Sequence, residues 1–336
     1  MKRVAISVAA LFVAVAAATA QTVTPMPPVL DTTSSPPPVD DASSVSAQIF
    51  GSRKVDEAYG AFQRGYFLTA LQLALPRAEN NDPAAQTLIA EIYARGLGVA
   101  ENIARASSWY QIAAKNGDHL AAFELGLLYL DGAGVPRNPT RAAELFRQAA
   151  DKGYAPAQYN LALLHIEGRY ATPDLQEAAK LMAAAAGSGL ADAQYDYGSM
   201  LMEGAGLAPD LAAGAAQILL AARQGLVAAE VDYATLLYLG KGVTRDLKGA
   251  VSWYERAAND GNPVAQSRLG KLLAVGEGID FDLTRAAMWR ALARRQGYVD
   301  AQLDKLLASL SPADLSRAEE MARFWPSDPP KATAGG

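Results

Sequence analysis

Side chains able to carry acid–base, nucleophilic or metal chemistry are few in this chain, and they do not cluster. There is no cysteine among its 336 residues. Disulfides, thiolate nucleophiles, cysteine metal sites and a bacterial lipoprotein anchor are therefore excluded. The only histidines, His119 and His165, are far apart in sequence. His165 falls where Tyr93 and Tyr129 fall in a repeating pattern, which makes it a partly buried packing residue rather than a metal ligand. There is no H-E-x-x-H, no G-x-S-x-G, no P-loop and no dinucleotide fingerprint. Gly240-Lys241-Gly242 suggests a phosphate loop, but the same Gly-x-Gly spacing recurs along the chain as a turn. The acids are scattered, and none pair as a general acid and base. No catalytic, cofactor-binding or metal-ligating residue is assigned.

What remains is a surface. Phe123, Tyr159 and Tyr195 recur at one position of a repeating helix, and Glu124, Asn160, Asp196 and Asp232 recur at the next. Together they suggest an aromatic ladder flanked by acids, and aromatics commonly anchor interfaces. The competing reading is that the rings only pack between neighbouring helices.

The elements that position these residues follow from a 36-residue period. Gly96, Gly132, Gly168, Gly204, Gly240 and Gly276 lie on one grid. Gly117, Gly153, Gly189, Gly225, Gly261 and Gly297 lie on a second. Asn102, Asn138, Asp174, Asp210, Asp246 and Asp282 form a third. Trp109, Leu145, Leu181, Gln217, Trp253 and Trp289 form a fourth. Residues 83–298 are thus six units without insertion or deletion. In each, a helix A such as Pro83 to about Arg95 carries an apolar stripe (Ala85, Ile89, Ala90, Ile92, Tyr93). Glycines end it, because glycine takes the left-handed conformation without a Cβ clash. The third grid supplies an N-cap acceptor. Helix B follows, with Ala106, Trp109, Tyr110, Ala113 and Ala114 on one face. Ala90, Gly126, Ala162, Gly198, Ala234 and Gly270 share a position where helices can approach closely, and Trp109 or its equivalent is expected to fill the space beside it. One hairpin cannot bury such a face alone, so the units must stack.

Residues 53–82 read as an N-terminal capping half-repeat, with Ala70 and Leu73 on the helix B grid and Asn81 substituting for a cap glycine. Residues 299–326 read as a C-terminal cap whose last helix opens at Ser311-Pro312-Ala313-Asp314, and 327–336 as a flexible tail.

The N-terminus has Lys2 and Arg3, an apolar run from Val4 to Ala17, and the small-x-small sequence Ala18-Thr19-Ala20. That is the pattern of a cleaved signal peptide, residues 1–20. Residues 21–52, with Pro25-Met26-Pro27-Pro28 and Pro36-Pro37-Pro38 among Ser, Thr and Asp, read as a disordered linker. No later apolar run is long enough to span a bilayer, so no stable membrane insertion is expected after cleavage. The net charge is −5, and loss of Lys2 and Arg3 with the first twenty residues takes it to −7. An acidic chain without a clustered basic footprint is a poor partner for nucleic acid or an anionic membrane.

Gln158 to Gly168 (QYNLALLHIEG), Leu237 to Val243 (LYLGKGV), Ala250 to Ala258 (AVSWYERAA) and Ala122 to Val135 (AFELGLLYLDGAGV) resemble the Sel1-like repeat, related to tetratricopeptide arrays. The resemblance covers roughly residues 83–302. It implies an all-α fold, an α/α right-handed superhelical solenoid with helices A on the concave side. It also implies a non-catalytic protein–protein interaction scaffold of the bacterial cell envelope, periplasmic or secreted, with protein partners there. Family members with this layout include regulators that restrain sensor kinases or exopolysaccharide machinery. A peptidoglycan or polysaccharide module stacking on Phe123, Tyr159 and Tyr195, or an enzyme acting on β-lactams, is the alternative. The cysteine-rich branch linked to β-lactam binding is not matched. Two departures from the pattern, Gly168-Arg169-Tyr170 in unit 3 and Gly214 with Gln217 in unit 4, predict soft packing in units 3–4.

Overall fold

The computed structural model describes residues 56–168 and 173–327. The signal-peptide and linker readings for 1–52, Tyr170, and the tail beyond 327 lie outside the described residues. Among those described there are sixteen helices and no strand.

A short pair comes first, α1 (Glu57–Gln63) and α2 (Phe67–Glu79). The A and B helices of the six units follow in alternation: α3 (Pro83–Ala94) and α4 (Ile103–Lys115), α5 (His119–Asp131) and α6 (Pro139–Ala150), α7 (Ala155–Glu167) and α8 (Leu175–Gly187). Then come α9 (Ala191–Glu203) and α10 (Leu211–Arg223), α11 (Val227–Leu239) and α12 (Leu247–Asn259), α13 (Pro263–Val275) and α14 (Leu283–Arg295). The chain closes on α15 (Ala301–Leu306) and α16 (Pro312–Phe324). The result is an all-α solenoid of stacked hairpins. No described helix is long and apolar enough to cross a membrane.

The grids explain the boundaries. All six Asn or Asp residues of the third grid accept a backbone N–H of the first turn of helix B through their side chains, as Asn102 does from Arg105 and Asp246 from Gly249. Each also donates its own N–H to a carbonyl nine residues back, closing the A–B loop identically in every unit (Asn102 to Tyr93, Asp246 to Leu237). Asn81 is the one described non-glycine residue with positive φ, at 60°, on the glycine grid where its type foretold it. The second loop glycine laps onto the previous unit. A Cβ on Gly278 would stand 2.8 Å from the Leu247 carbonyl oxygen, and Gly206 and Gly242 abut the carbonyls of Leu175 and Leu211 more tightly still.

Within a hairpin the small-residue position works as expected, but its partner differs from the fourth grid. A Cβ on Gly126 would lie 2.6 Å from the Phe146 ring, and one on Gly198 would lie 2.8 Å from Ile218 Cγ1. The side chains filling these spaces are thus one residue beyond Leu145 and Gln217, about 100° further round helix B. Trp253 instead packs edge-on to Tyr233, ring centroids 5.7 Å apart.

Gly214 also corrects an expectation. It does not loosen unit 4: it faces Gly198, whose added Cβ would stand 2.8 Å from the Gly214 carbonyl oxygen. Two facing glycines let α9 and α10 cross where the other units have at least one alanine. Gln217 does carry a cost, since its Oε1 is buried without a hydrogen-bond partner.

A glutamine staple links the units. The Nε2 groups of Gln86, Gln158, Gln194 and Gln266 donate to the carbonyl eight residues earlier, at the end of the preceding helix B. In three of them the Oε1 accepts from the side-chain amide that follows helix B of the same unit, Asn116, Gln224 and Gln296. Unit 5 departs from this. Glu230 occupies the position, fully buried, with Arg256 Nε 2.7 Å from its carboxylate.

At the start of the array, Arg77 joins Asp56 (2.6 Å) and Asp82 (2.7 Å), tying α1 to the beginning of α3. At the end, Ser311 caps α16 through Asp314 N, and Trp325 meets Trp289 edge-on at 5.8 Å.

Candidate interaction face on the A helices

Residues at i, i+4, i+7 and i+11 of each A helix share one face. That periodicity places Glu124, Asn160, Asp196, Asp232 and Arg268 at one level of five successive units, and Thr235 and Lys271 one turn further along.

The structure brings four of the sequence-marked residues together in pairs. Tyr159 donates its hydroxyl to Asp196 Oδ2 at 2.9 Å, and Tyr195 donates to Asp232 Oδ2 at 2.7 Å. Both bonds span 37 residues, joining one unit's ring to the next unit's acid. The rings are half-buried. Burial and the adjacent carboxylates push both phenols well above their ordinary range, so they remain donors at neutral pH. Burial pushes Asp196 up to about 6, with Asp192 adding to this and the Tyr159 bond opposing it.

The other marked residues are placed differently. Phe123 has no hydroxyl and is 8% exposed, packed on Phe146 (5.6 Å) and edge-on to Tyr154 (5.2 Å). Little of its ring is open to a partner. Asn160, the residue 37 further on, turns back to its own helix and donates to the Pro156 carbonyl. Glu124 is half-buried, and burial followed by the nearby Glu91 carboxylate pushes it up to about 7. His165 lies 3.1 Å from Arg147, its pKa lowered by burial and then by that cation. Among the described residues, no group of three His, Asp or Glu side chains could hold a metal ion.

Two residues on this face were not singled out in the sequence, Arg268 and Lys271. They line a groove of 440 Å³ between units 5 and 6 with Tyr238, Tyr254, Leu239 and Val275. The signal was present: at the level of Glu124, Asp196 and Asp232, unit 6 changes sign.

A stack of capped α-hairpins repeated without a break defines an α-solenoid. The Sel1 repeat model matches six consecutive segments, 83–118, 119–154, 155–190, 191–226, 227–262 and 263–298. The chain belongs to the Sel1 repeat family, whose members generally act as protein–protein interaction scaffolds. Among solved structures it is similar to a protective antigen of uropathogenic Escherichia coli strains with this repeat fold, at 26% identity and a TM-score of 0.67 over 75% of this chain. That match spans 56% of the antigen, little more than half its length. It is also similar to a Sel1 repeat protein from Oxalobacter formigenes, at 27% identity and a TM-score of 0.62, covering 74% of this chain and 100% of the other. A search of curated proteins found no match.

Proposed function

We propose that this protein is a non-catalytic scaffold of the bacterial cell envelope that holds a protein partner along the A-helix face. The observation that carries this is the cross-unit pairing of Tyr159 with Asp196 and Tyr195 with Asp232. It fixes half-buried rings and acids into a rigid surface before any partner arrives, and preorganised side chains lose little entropy on binding. Around it lie exposed acids, Asp192 and Glu203, on the same face of α9. A partner segment carrying basic residues complements this stretch.

The envelope assignment rests on Lys2, Arg3, the apolar run and Ala18-Thr19-Ala20. Fractionation of cells expressing the tagged full-length chain tests it. Recovery with the periplasm or medium, shortened at the N-terminus, is expected, and full-length protein in the cytosol overturns it. Affinity capture from an envelope extract tests the scaffold reading, and recovery of no protein partner counts against it. Exposed polysaccharide platforms would need open ring faces, which the burial of Phe123 disfavours.

A further inference from the structure

The two ends of the A-helix face repeat one architecture with opposite charge. In unit 1, the Tyr110 hydroxyl donates to Glu91 at 2.9 Å, and Glu124 of the next unit stands nearby. In unit 5, the corresponding Tyr254 hydroxyl meets Thr235 at 2.9 Å, and the corresponding residue of the next unit is Arg268. An acid–hydroxyl–acid cluster at one end is a neutral–hydroxyl–cation cluster at the other.

Arg268 has only neutral partners. Its Nη1 donates to Thr235 and to Tyr254 (3.2 Å), and its guanidinium lies over the Tyr254 ring at 5.8 Å. A guanidinium has five N–H donors in a planar fork, so Nε and Nη2 keep three without an acceptor among the described residues. The other charges lining the groove are already matched: Lys271 by Asp300 at 2.9 Å, and Glu277 by Arg245 at 3.0 Å and the Tyr238 hydroxyl at 2.9 Å. Apart from the neutral amide of Gln302, the groove's remaining wall is apolar, from Leu239, Leu272, Val275 and Leu306. Leu239 and Val275, one repeat apart, are 60% and 52% exposed at its rim. An unmatched planar cation beside an apolar wall, at the end of an otherwise acidic face, complements one carboxylate attached to an apolar group.

We infer that the groove between units 5 and 6 captures the C-terminal residue of a protein partner, its free carboxylate on Arg268 and an apolar last side chain against Leu239 and Val275. The volume of 440 Å³ suits one or two residues of an extended peptide rather than a folded surface. This rests on the reading of the A-helix face as a partner surface, and it gives the partner a direction, terminus at unit 6 and basic residues towards units 4 and 3.

The test uses the purified full chain and a fluorescein-labelled hexapeptide ending in leucine, as the free acid and as the C-terminal amide. Anisotropy titration is expected to show the acid binding at least tenfold more tightly. Arg268→Gln should remove the difference. Val275→Glu, a rim substitution that leaves the core untouched, should weaken the acid at least tenfold with an unchanged melting temperature. Equal binding of acid and amide, binding of neither, or discrimination retained by Arg268→Gln overturns the proposal. So does decanoate competing as well as the peptide, which would make the groove a fatty-acid site. If capture of the protein partner still depends on Asp192 and Glu203, failure here removes the terminal pocket and leaves the scaffold reading standing.

Discussion

The hydroxyl of Tyr195 lies 2.7 Å from Asp232 of the next repeat, and Tyr159 bonds Asp196 in the same way one repeat earlier. Each bond crosses a unit boundary, so it couples repeats as well as shaping the face. Tyr195→Phe should lower stability by about 1 kcal/mol, measured by urea unfolding, with the ring packing retained. Tyr159→Phe should also raise the Asp196 pKa beyond its present value of about 6, since that bond favours the carboxylate. An unchanged Asp196 titration, followed by carboxyl NMR, would contradict the pairing.

Glu230 interrupts the glutamine staple, and burial raises its pKa against the pull of Arg256, with Asp260 adding to the rise. A carboxylate cannot donate to the Ala222 carbonyl as its glutamine equivalents donate elsewhere. Glu230→Gln should therefore stabilise the protein by about 1–2 kcal/mol at neutral pH. A folded pKa above the unfolded one means the wild type loses stability as pH rises, so the variant's advantage should grow with pH and vanish in acid. A destabilised variant at pH 7 would show that the Arg256 pair outweighs the staple.

Glu124 carries the same sign. Its pKa is raised from 4.5 to about 7 in the fold, so its protonated form is the favoured one. Its contribution is complete below about pH 4.5 and is lost as pH rises to about 7. Glu124→Gln should match the wild type at pH 4 and exceed it by about 1–2 kcal/mol at pH 8, after allowance for partial solvent screening. Parallel stability–pH curves for the two proteins would refute the burial effect.

The facing glycines of unit 4 admit a direct comparison. Gly198→Ala forces a Cβ to 2.8 Å from both the Gly214 carbonyl and Ile218, and should cost about 2 kcal/mol. Gly187, at the end of α8, has nothing within 4 Å of an added Cβ. Gly187→Ala should be neutral or stabilise by up to about 1 kcal/mol. Equal denaturation midpoints for the two variants would mean that α9 and α10 do not cross as closely as described.

The hairpins were legible because period, caps and loop glycines all pointed to the same boundaries, and Asn81 could be placed in the left-handed region from its grid alone. The face was legible only by column. Tyr159 and Tyr195 were marked, as were Asp196 and Asp232, but their 37-residue coupling joins adjacent columns and does not show in a strict 36-residue comparison. Reading the two columns diagonally would also have isolated Phe123 and Asn160 as the pair lacking a hydroxyl. Phe146 and Ile218 were missed as the fillers because burial depends on helix phase, and the larger tryptophans drew attention one position away. Arg268 was missed because it departs from its column, and it is the departure that makes the groove.

The most direct test of the A-helix face is quantitative capture of the partner from an envelope extract by the wild type and by Asp192→Lys/Glu203→Lys. Both residues are exposed, so the reversed charges should leave the melting temperature unchanged. Glu319→Lys/Glu320→Lys, at two exposed positions of α16 away from this face, is the matched control with the same change of charge. The account predicts at least a tenfold loss of the recovered partner with the double variant and no loss with the control. Equal recovery by all three proteins would contradict it.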